Sequence, residues 1–274
     1  MGAKVIIYAL HKNQIMERKY IRLERENRLT TIVLDRPEKR NALNSEFVEE
    51  LKQAFEELKN DSETRVIRLK SSGSVFCAGA DLAYLQKLQS NSFEENLEDS
   101  RGLKGLFELM YTHPKPIIAQ VEGAAIAGGC GLASVCDLVF SVPEAKYGYT
   151  ETKIGFVPAI VSVYLMRKIG ESMARDILLT GRIFNANEAK AMGLIQYIYQ
   201  VDEIDQAVKE FAEKWAKETS GDSIALTKKL IAEVQSKPIH EAFEYAAHMN
   251  AQARETPDCK AGIGAFLNKE KINW

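Results

Sequence analysis

The sequence predicts an α/β fold that ends in a helical region, and three observations point to this class. Up to about residue 170, apolar segments typical of strands take turns with amphipathic helical segments. A buried strand at 116–123, a glycine-rich turn, a helix and a strand at 137–142 form a βαβ unit, whose strands must run parallel. From Gly170 onward helical patterns dominate, so this final third is predicted to be all-helical.

The first predicted elements are a β-hairpin and an amphipathic helix. Residues 20–25 and 29–35 alternate polar and apolar side chains on either side of a short turn. Asn44 can then cap a helix by accepting a hydrogen bond from its first turn. The apolar face of that helix is formed by Phe47, Leu51, Ala54, Phe55 and Leu58.

The later elements follow from the same patterns. A strand is predicted at 66–70, a short apolar segment at 75–82 leads into a helix to about Leu88, and a helix at 94–111 ends before Pro114. Helices are then predicted at 171–180, 187–192, 203–217, 223–235 and 239–253, with a last one that Thr256 caps and Pro257 begins.

Composition narrows the function classes. The chain has 274 residues, 46% of them apolar, with 36 Lys and Arg against 38 Asp and Glu. Because these charges nearly balance, no overall field favours nucleic acid or an anionic membrane as a partner. We expect reduced, mostly buried thiols and no metal site, because the cysteines lack the spacing of metal ligands. These cysteines are Cys77, Cys130, Cys136 and Cys259.

Targeting and cofactor signals point to a cytoplasmic, cofactor-free protein. No apolar run reaches the roughly 18 residues of a membrane span, and the start carries neither a secretory nor a transit pattern. Residues 1–17 fit none of the predicted elements and are expected to be an N-terminal extension. No phosphate-binding or dinucleotide fingerprint is present, since Gly129 and Gly131 are not followed by the third glycine that such a motif requires.

The most unusual segment is VEGAAIAGGCGLA at 121–133, which holds Gly123, Gly128, Gly129 and Gly131. Glycine in or near a helix costs about 1 kcal/mol relative to alanine, so a compensating gain is implied. If a helix begins near Gly128, its first N–H groups lack partners and can hold negative charge. Tight packing of helix on strand is the other explanation for these small residues.

Five segments, in order, resemble motifs of the crotonase, or enoyl-CoA hydratase/isomerase, superfamily. They are RPEKRNALN (36–44), SVFCAGADL (74–82), the glycine-rich segment, EAKYGYTETKIGFVP (144–158) and AGIGAFLNKEKINW (261–274). The resemblance covers about residues 18–274. It implies a crotonase-like spiral core of ββα turns at 18–210 and a C-terminal helical trimerisation region at 211–274. It also implies assembly as a homotrimer, or a hexamer of two trimers, and an acyl-CoA thioester as substrate.

The resemblance also implies the catalytic groups. The backbone N–H groups of Ala80 and Gly128 would hold the thioester oxygen, where donors aimed at developing charge are worth about 3–4 kcal/mol each. Gly129 would let the thioester lie close to the backbone. Glu151 falls where the family carries its second catalytic glutamate, and burial that raises its pKa would suit acid/base work. The plainer alternative for Glu151 is an ion pair with Lys153 or a cap on a turn.

One position departs from the family pattern. Gly131 stands where typical hydratases carry their first catalytic glutamate, so a single glutamate would perform the chemistry. Together with residues 154–170, this segment is most similar to bacterial 3-methylglutaconyl-CoA hydratases. The prediction is reversible hydration of a short, branched 2-enoyl-CoA. A Δ3-Δ2 enoyl-CoA isomerase and a catalytically impaired acyl-CoA-binding homologue are the alternatives.

Further residues are predicted to bind coenzyme A, which here is part of the substrate. By motif position, Arg40, Cys77 and Ala78 would contact its nucleotide, and Phe266 and Lys269 would reach the coenzyme A of a neighbouring subunit. Solvated surface and core packing are the alternatives for these side chains. A distal carboxylate on the acyl group would need a nearby cation, for which Lys87, Arg101 and Lys104 are candidates.

Overall fold

The computed structural model describes residues 18–274, so the predicted extension at 1–17 lies outside the described residues. Within this range the strands are β1 Ile21–Glu26, β2 Leu29–Leu34, β3 Val66–Ser71, β4 Val75–Cys77, β5 Ile117–Val121, β6 Ala124–Ile126, β7 Leu138–Ser141, β8 Lys146–Gly148, β9 Ile183–Asn185 and β10 Tyr197–Ile198. The helices are α1 Ser45–Asn60, α2 Leu82–Leu88, α3 Phe93–Thr112, α4 Gly128–Val135, α5 Ala159–Thr180, α6 Ala186–Ala191, α7 Ile204–Glu218, α8 Gly221–Val234, α9 Ile239–Glu255 and α10 Pro257–Asn268. Short 3-10 helices occupy Pro37–Lys39 and Glu151–Ile154.

The larger sheet has six strands in the order β1-β2-β3-β5-β7-β10. The hairpin β1–β2 is antiparallel, as predicted, and every other neighbouring pair runs parallel. The βαβ unit is confirmed, since β5 and β7 pair in parallel with Ile118 opposite Leu138. Every residue of β2 is buried, as expected for a parallel strand with both faces covered.

The smaller sheet has four strands in the order β4-β6-β8-β9. Its first three strands are parallel and β9 is antiparallel to β8. The predicted glycine-rich turn between β5 and α4 therefore contains a strand, Ala124–Ile126, which the sequence pattern did not reveal. Strands of three residues are stabilised by their neighbours and are too short to show a period of their own.

Capping and amphipathic patterns located the predicted helices correctly. The Asn44 side chain accepts a hydrogen bond from Phe47 N at 2.8 Å, and α1 buries all five predicted apolar residues. Thr256 caps α10 in the same way, with Pro257 as its first residue.

The prediction for the final third was wrong in two respects. First, α5 begins at Ala159 rather than at residue 171, and it is kinked at Gly170, whose φ is +77°. The predicted helix was only the part after this kink. Second, β9 and β10 lie in a region that was expected to be all-helical. Both strands extend sheets formed earlier in the chain, so their pairing partners are remote in sequence.

The predicted domain boundary at 210/211 falls inside α7. This helix packs on β2, β3, β5 and β7, and it buries Val208, Ala212 and Ala216. The buried guanidinium of Arg68 on β3 pairs with Asp205 of α7 at 2.9 Å. Thus α7 packs on the larger sheet, while α8, α9 and α10 pack on one another and α8 also contacts α3. No helix between residues 18 and 274 has the length and apolar character needed to span a membrane.

Candidate active site

Three parallel strands of the smaller sheet deliver the predicted catalytic groups to one edge. Ala80 follows β4, Gly128 follows β6 and Glu151 follows β8. The strands are direct neighbours, because Cys77 pairs with Ala125 and Ile126 pairs with Gly148. Since neighbouring strands lie about 4.8 Å apart, the segments that leave their carboxyl ends are brought side by side.

The backbone on either side of Ala80 is fixed by Leu43, which leaves the N–H of Ala80 free. Leu43 N donates to Gly79 O at 2.7 Å, and Asp81 N donates to Leu43 O at 2.8 Å. Leu43 and Ala80 thus form a parallel bridge, in which Leu43 bonds to the residues before and after Ala80. In this pairing the N–H of Ala80 itself points away from Leu43. Ala80 is exposed, and its N–H has no backbone acceptor among residues 18–274.

The N–H of Gly128 is directed by an unusual turn. Ala127 has a φ of +53°, a conformation that costs a non-glycine residue about 1–3 kcal/mol and that clusters at functional sites. Ala127 N donates to Gly148 O at 2.7 Å, which fixes the turn to β8. Gly128 is the first residue of α4, so its N–H has no partner within the helix.

The two donor segments lie against each other. Gly79 has a φ of +90°, and a Cβ atom there would lie 3.7 Å from Gly128 N and 3.0 Å from the Ala127 side chain. Only glycine permits both this backbone conformation and this close approach. The Ala80 and Gly128 amides, both without backbone acceptors, therefore flank one site at the amino terminus of α4, where the helix dipole also favours negative charge.

Glu151 is a buried carboxyl group in which one oxygen atom has no hydrogen-bond partner among the described residues. Only 9% of the residue is exposed, and the oxygen atom in question is Oε2. Burial raises the pKa of Glu151 above its usual value. No ion pair joins its Oε2 atom to Lys153 within residues 18–274, and Glu151 is the first residue of the 3-10 helix Glu151–Ile154. Buried polar atoms that lack a partner are rare and require an explanation, which a role in proton transfer provides.

The small residues of the glycine-rich segment serve two different purposes. At Gly129 a Cβ atom would overlap the Cys77 carbonyl oxygen and lie 2.7 Å from Cys77 Cβ. At Gly123 it would overlap the Ser74 carbonyl oxygen. These two glycines are thus required by backbone packing against β4. At Gly128 the nearest atom would be a Leu43 methyl carbon at 3.8 Å, so here the missing side chain leaves an open approach.

Gly131 lies away from that opening. It is buried, and a Cβ atom there would meet the side chains of Val161 and Phe107. The position of the family's first glutamate is therefore enclosed by apolar side chains, and the structure gives Gly131 itself no free surface for substrate.

The predicted coenzyme A residues divide into three groups. Arg40 is exposed and its carbonyl oxygen accepts from Ala78 N at 3.0 Å, so these two residues lie together. In the loop that was predicted to contact the adenine through its backbone, Cys77 is 0% exposed and packs against Gly129, whereas Ala78 is partly exposed. Phe266 and Lys269 lie exposed at the end of α10, where Phe266 is 82% exposed and therefore not core.

Several residues that hold the site together carried no sequence signal. The Tyr149 hydroxyl donates to Ser134 Oγ at 3.0 Å, with both side chains buried, and this bond joins the segment before Glu151 to α4. Asp81 caps α2 by accepting hydrogen bonds from Ala83 N and Tyr84 N, and its carboxylate pairs with Arg36 at 2.8 Å.

Two candidate cations for a distal carboxylate are already paired, Arg101 with Glu98 and Lys104 with Glu108, on the exposed face of α3. Nowhere in residues 18–274 do three or more His, Cys, Asp or Glu side chains form a cluster that could hold a metal ion.

The thiols are as expected. Cys77, Cys130 and Cys136 are buried, Cys259 is partly exposed, and all four are free. Burial raises the pKa of each buried thiol to about 12, so these groups stay protonated and unreactive at neutral pH.

The segments that carry Ala80, Gly128 and Glu151 leave the carboxyl ends of neighbouring strands, and free amides beside a carboxyl group are an arrangement that can hold a developing oxyanion and move a proton. Comparison with known proteins identifies the class. The profile of the enoyl-CoA hydratase/isomerase family matches residues 24–274. This chain therefore belongs to the enoyl-CoA hydratase/isomerase family, within the crotonase superfamily, and it is an enzyme of this family, whose substrate class is an acyl-CoA thioester.

Individual relatives agree with this assignment. A Thermus thermophilus protein, provisionally named as an enoyl-CoA hydratase, is 45% identical over 241 residues, which are 88% of this chain and 95% of that protein. The crotonyl-CoA hydratase of Syntrophomonas wolfei is 33% identical over 92% of this chain and 96% of its own length. The crystal structure of an enoyl-CoA hydratase from Shewanella pealeana has a TM-score of 0.88 at 29% identity, covering 93% of this chain and 96% of that one. The fold is thus the crotonase fold.

Proposed function

We propose that this enzyme reversibly hydrates a short 2-enoyl-CoA, with Glu151 as its acid/base. The observation that carries the proposal is the convergence of Ala80, Gly128 and Glu151 at the carboxyl ends of β4, β6 and β8. The short chain is supported by two relatives, named crotonyl-CoA hydratase and short-chain-enoyl-CoA hydratase.

In the proposed reaction the Ala80 and Gly128 amides bind the thioester oxygen. Glu151 accepts a proton from a water molecule while the water oxygen bonds to the β-carbon, and the electron pair of the double bond moves onto the thioester oxygen as an enolate. The enolate then takes the proton from Glu151 at its α-carbon, which regenerates the carboxylate. A carboxyl group whose pKa is raised by burial is suited to both transfers near neutral pH.

A branched, methylglutaconyl-like acyl group is the finer form of the proposal. It is supported by the similarity of residues 128–137 and 154–170 to that branch of the family. Assembly as a homotrimer or hexamer is supported by the exposed apolar side chains of the helical region, among them Phe243, Phe266 and Leu267. We also place the enzyme in the cytoplasm, as the sequence predicts.

A second candidate, Δ3-Δ2 enoyl-CoA isomerisation, is favoured by one observation. Position 131 carries no carboxyl group, and a lone carboxyl group can move a proton between two carbons of one acyl chain without water. The same two amides would stabilise the intermediate enolate.

The experiment compares the wild type with Glu151→Gln on straight, branched and carboxylated 2-enoyl-CoA and 3-enoyl-CoA thioesters. Loss of the conjugated thioester absorbance measures hydration, and its appearance from a 3-enoyl-CoA measures isomerisation. We expect hydration by the wild type, and loss of turnover by at least about 100-fold in Glu151→Gln. Coenzyme A affinity should stay within a few-fold.

The matched control is Glu144→Gln, the same chemical change at an exposed glutamate, which should leave the rate unchanged. Isomerisation without hydration would replace the first candidate by the second. Thioester binding without turnover would identify an impaired homologue.

A further inference from the structure

Two apolar side chains fill the space beside Gly131. A Cβ atom at this glycine would overlap Cγ1 of Val161, and it would lie 3.0 and 3.1 Å from Cζ and Cε1 of Phe107. All three of these nearest atoms are carbon atoms of apolar side chains. Val161 lies on α5 and Phe107 on α3, and together they are called the apolar wall below.

The apolar wall is held firmly in place. Phe107 is 0% exposed and Val161 is 4% exposed. The Phe107 ring stacks on Tyr164 with centroids 6.1 Å apart, and Tyr164 stands one turn after Val161 on α5. In a helix the β-branched valine side chain has one strongly preferred rotamer. Neither side chain can therefore turn aside without disturbing its neighbours.

The apolar wall also borders the reacting region. Gly131 lies one turn after Gly128 on α4, and residues three apart share a helix face. Cys130, the residue before Gly131, lies close enough to Glu151 for that carboxylate to add to the effect of burial on the pKa of its thiol. The apolar wall thus closes a position on α4 that is one turn from the Gly128 amide and next to a residue close to Glu151.

We propose that the apolar wall makes this a one-carboxylate site. By filling the space at Gly131 it excludes a second acidic side chain, together with the water that such a side chain would hold, so the water that is added must be held by Glu151 alone. Val161 is then a specificity-determining residue, because loss of its two methyl groups opens room for a side chain at position 131. The inference rests on the proposed function.

The first test is thermal unfolding without substrate. We expect Gly131→Glu to lower the midpoint by about 5 °C or more, because the new side chain overpacks a filled core. Adding Val161→Ala to this variant should recover at least half of the loss. The matched control is Val163→Ala, a valine on the same helix that is 43% exposed, which should recover nothing.

The second test is the pH dependence of crotonyl-CoA hydration, which a purely structural wall would not change. In the wild type and in Val161→Ala, one carboxylate governs the acid limb of kcat/KM, with a logarithmic slope of about one. In the double variant Gly131→Glu/Val161→Ala a second carboxylate enters the site. The acid limb of the double variant should have a logarithmic slope that approaches about two. The hydration rate of this variant should exceed that of Val161→Ala about tenfold.

Three results would overturn the inference. They are a Gly131→Glu variant as stable as the wild type, equal recovery by Val161→Ala and Val163→Ala, and a double variant whose acid limb keeps the single-group slope. A wild type that hydrates no enoyl-CoA overturns the proposed function instead. It also overturns the claim that Glu151 alone holds the added water. The thermal comparison needs no substrate, so it tests by itself whether Val161 and Phe107 exclude a side chain at position 131.

Discussion

The two sheets of this protein contribute differently to its stability and to its proposed active site. The larger sheet has strands of up to six residues, and its inner strands β2 and β5 are buried along their whole length. Three of the four strands in the smaller sheet run parallel, each is only three residues long, and the catalytic segments follow them. The larger sheet supplies most of the hydrophobic burial, while the smaller sheet supplies the geometry of the site.

The comparison shows how the short strands of the smaller sheet can be held in fixed positions. Its strands are fixed by close backbone contacts, such as Gly123 against Ser74 and Gly129 against Cys77, rather than by long ladders of hydrogen bonds. A small displacement there would separate the two amide donors. We therefore expect changes in the smaller sheet to affect stability and activity together, and changes in the larger sheet to affect stability alone.

The largest effect on stability is expected for Gly129→Ala. The added methyl group would overlap the Cys77 carbonyl oxygen, and neither backbone can move without shifting β4 or α4. We expect a loss of about 3 kcal/mol or more, measured by urea unfolding. The activity of the molecules that remain folded should fall as well. Full activity in a folded Gly129→Ala variant would contradict the link between this contact and the donor geometry.

A smaller effect, on stability only, is expected in the larger sheet for Asp205→Ala. This change leaves the buried Arg68 guanidinium without its carboxylate, although Thr31 and Gln120 still accept hydrogen bonds from it. We expect a loss of about 2 kcal/mol in urea unfolding, less than for a fully buried pair because Asp205 is partly exposed. The kcat per folded molecule should be unchanged. A fall in kcat comparable to that of Gly129→Ala would remove the distinction between the sheets.

The Glu151→Gln variant sharpens the comparison by separating stability from activity. The raised pKa means that the folded state holds this proton more tightly than the unfolded chain does. The pKa of a glutamate in the unfolded chain is about 4.3. Between this pKa and the higher pKa of folded Glu151, the free energy of unfolding falls as pH rises, and above the folded pKa the whole destabilisation by the buried charge is present.

Glutamine does not ionise, so the inactive variant should be more stable than the wild type at pH 7. The difference in thermal midpoint between the variant and the wild type should shrink towards pH 4, where Glu151 of the wild type becomes protonated in the unfolded chain as well as in the folded protein. A constant difference across this range would show that charge burial at Glu151 does not limit stability.

The smallest effect is expected for Gly102→Ala on α3. A Cβ atom at Gly102 would meet nothing within 4 Å, so the change should stabilise the helix by about 0.5–1 kcal/mol. Turnover should be unchanged. Compared with Gly129→Ala, this variant tests whether the surroundings of a glycine, rather than its presence in a helix, decide the result.

Patterns within short stretches of sequence predicted the larger sheet and most helices. The hairpin alternation, the Asn44 and Thr256 caps and the apolar face of α1 all appear in the structure as expected. They were predictable because each depends on residues a few positions apart. The strands β4, β6, β8, β9 and β10 and the first half of α5 were not predicted, because what stabilises them comes from remote parts of the chain.

Motifs located the site, but the roles of its glycines needed coordinates. Family resemblance indicated Ala80, Gly128 and Glu151, and the structure places their segments at one sheet edge. Neither composition nor motif could show that Gly129 is required by Cys77, that Cys77 is wholly buried, or that Gly131 faces Val161 and Phe107. The neighbours involved lie between about 24 and 52 positions away in the chain, on other elements.

The sequence alone determined the class of fold and the family, and it singled out Glu151 as the proposed acid/base, because these depend on residue identity and on local periodicity. Only the tertiary structure decided which amides remain free to donate, how deeply Glu151 is buried and what fills the place of the missing acid. Hydrogen-bond satisfaction, desolvation and steric exclusion depend on which distant groups come within a few ångströms of each other, and no stretch of sequence specifies that by itself.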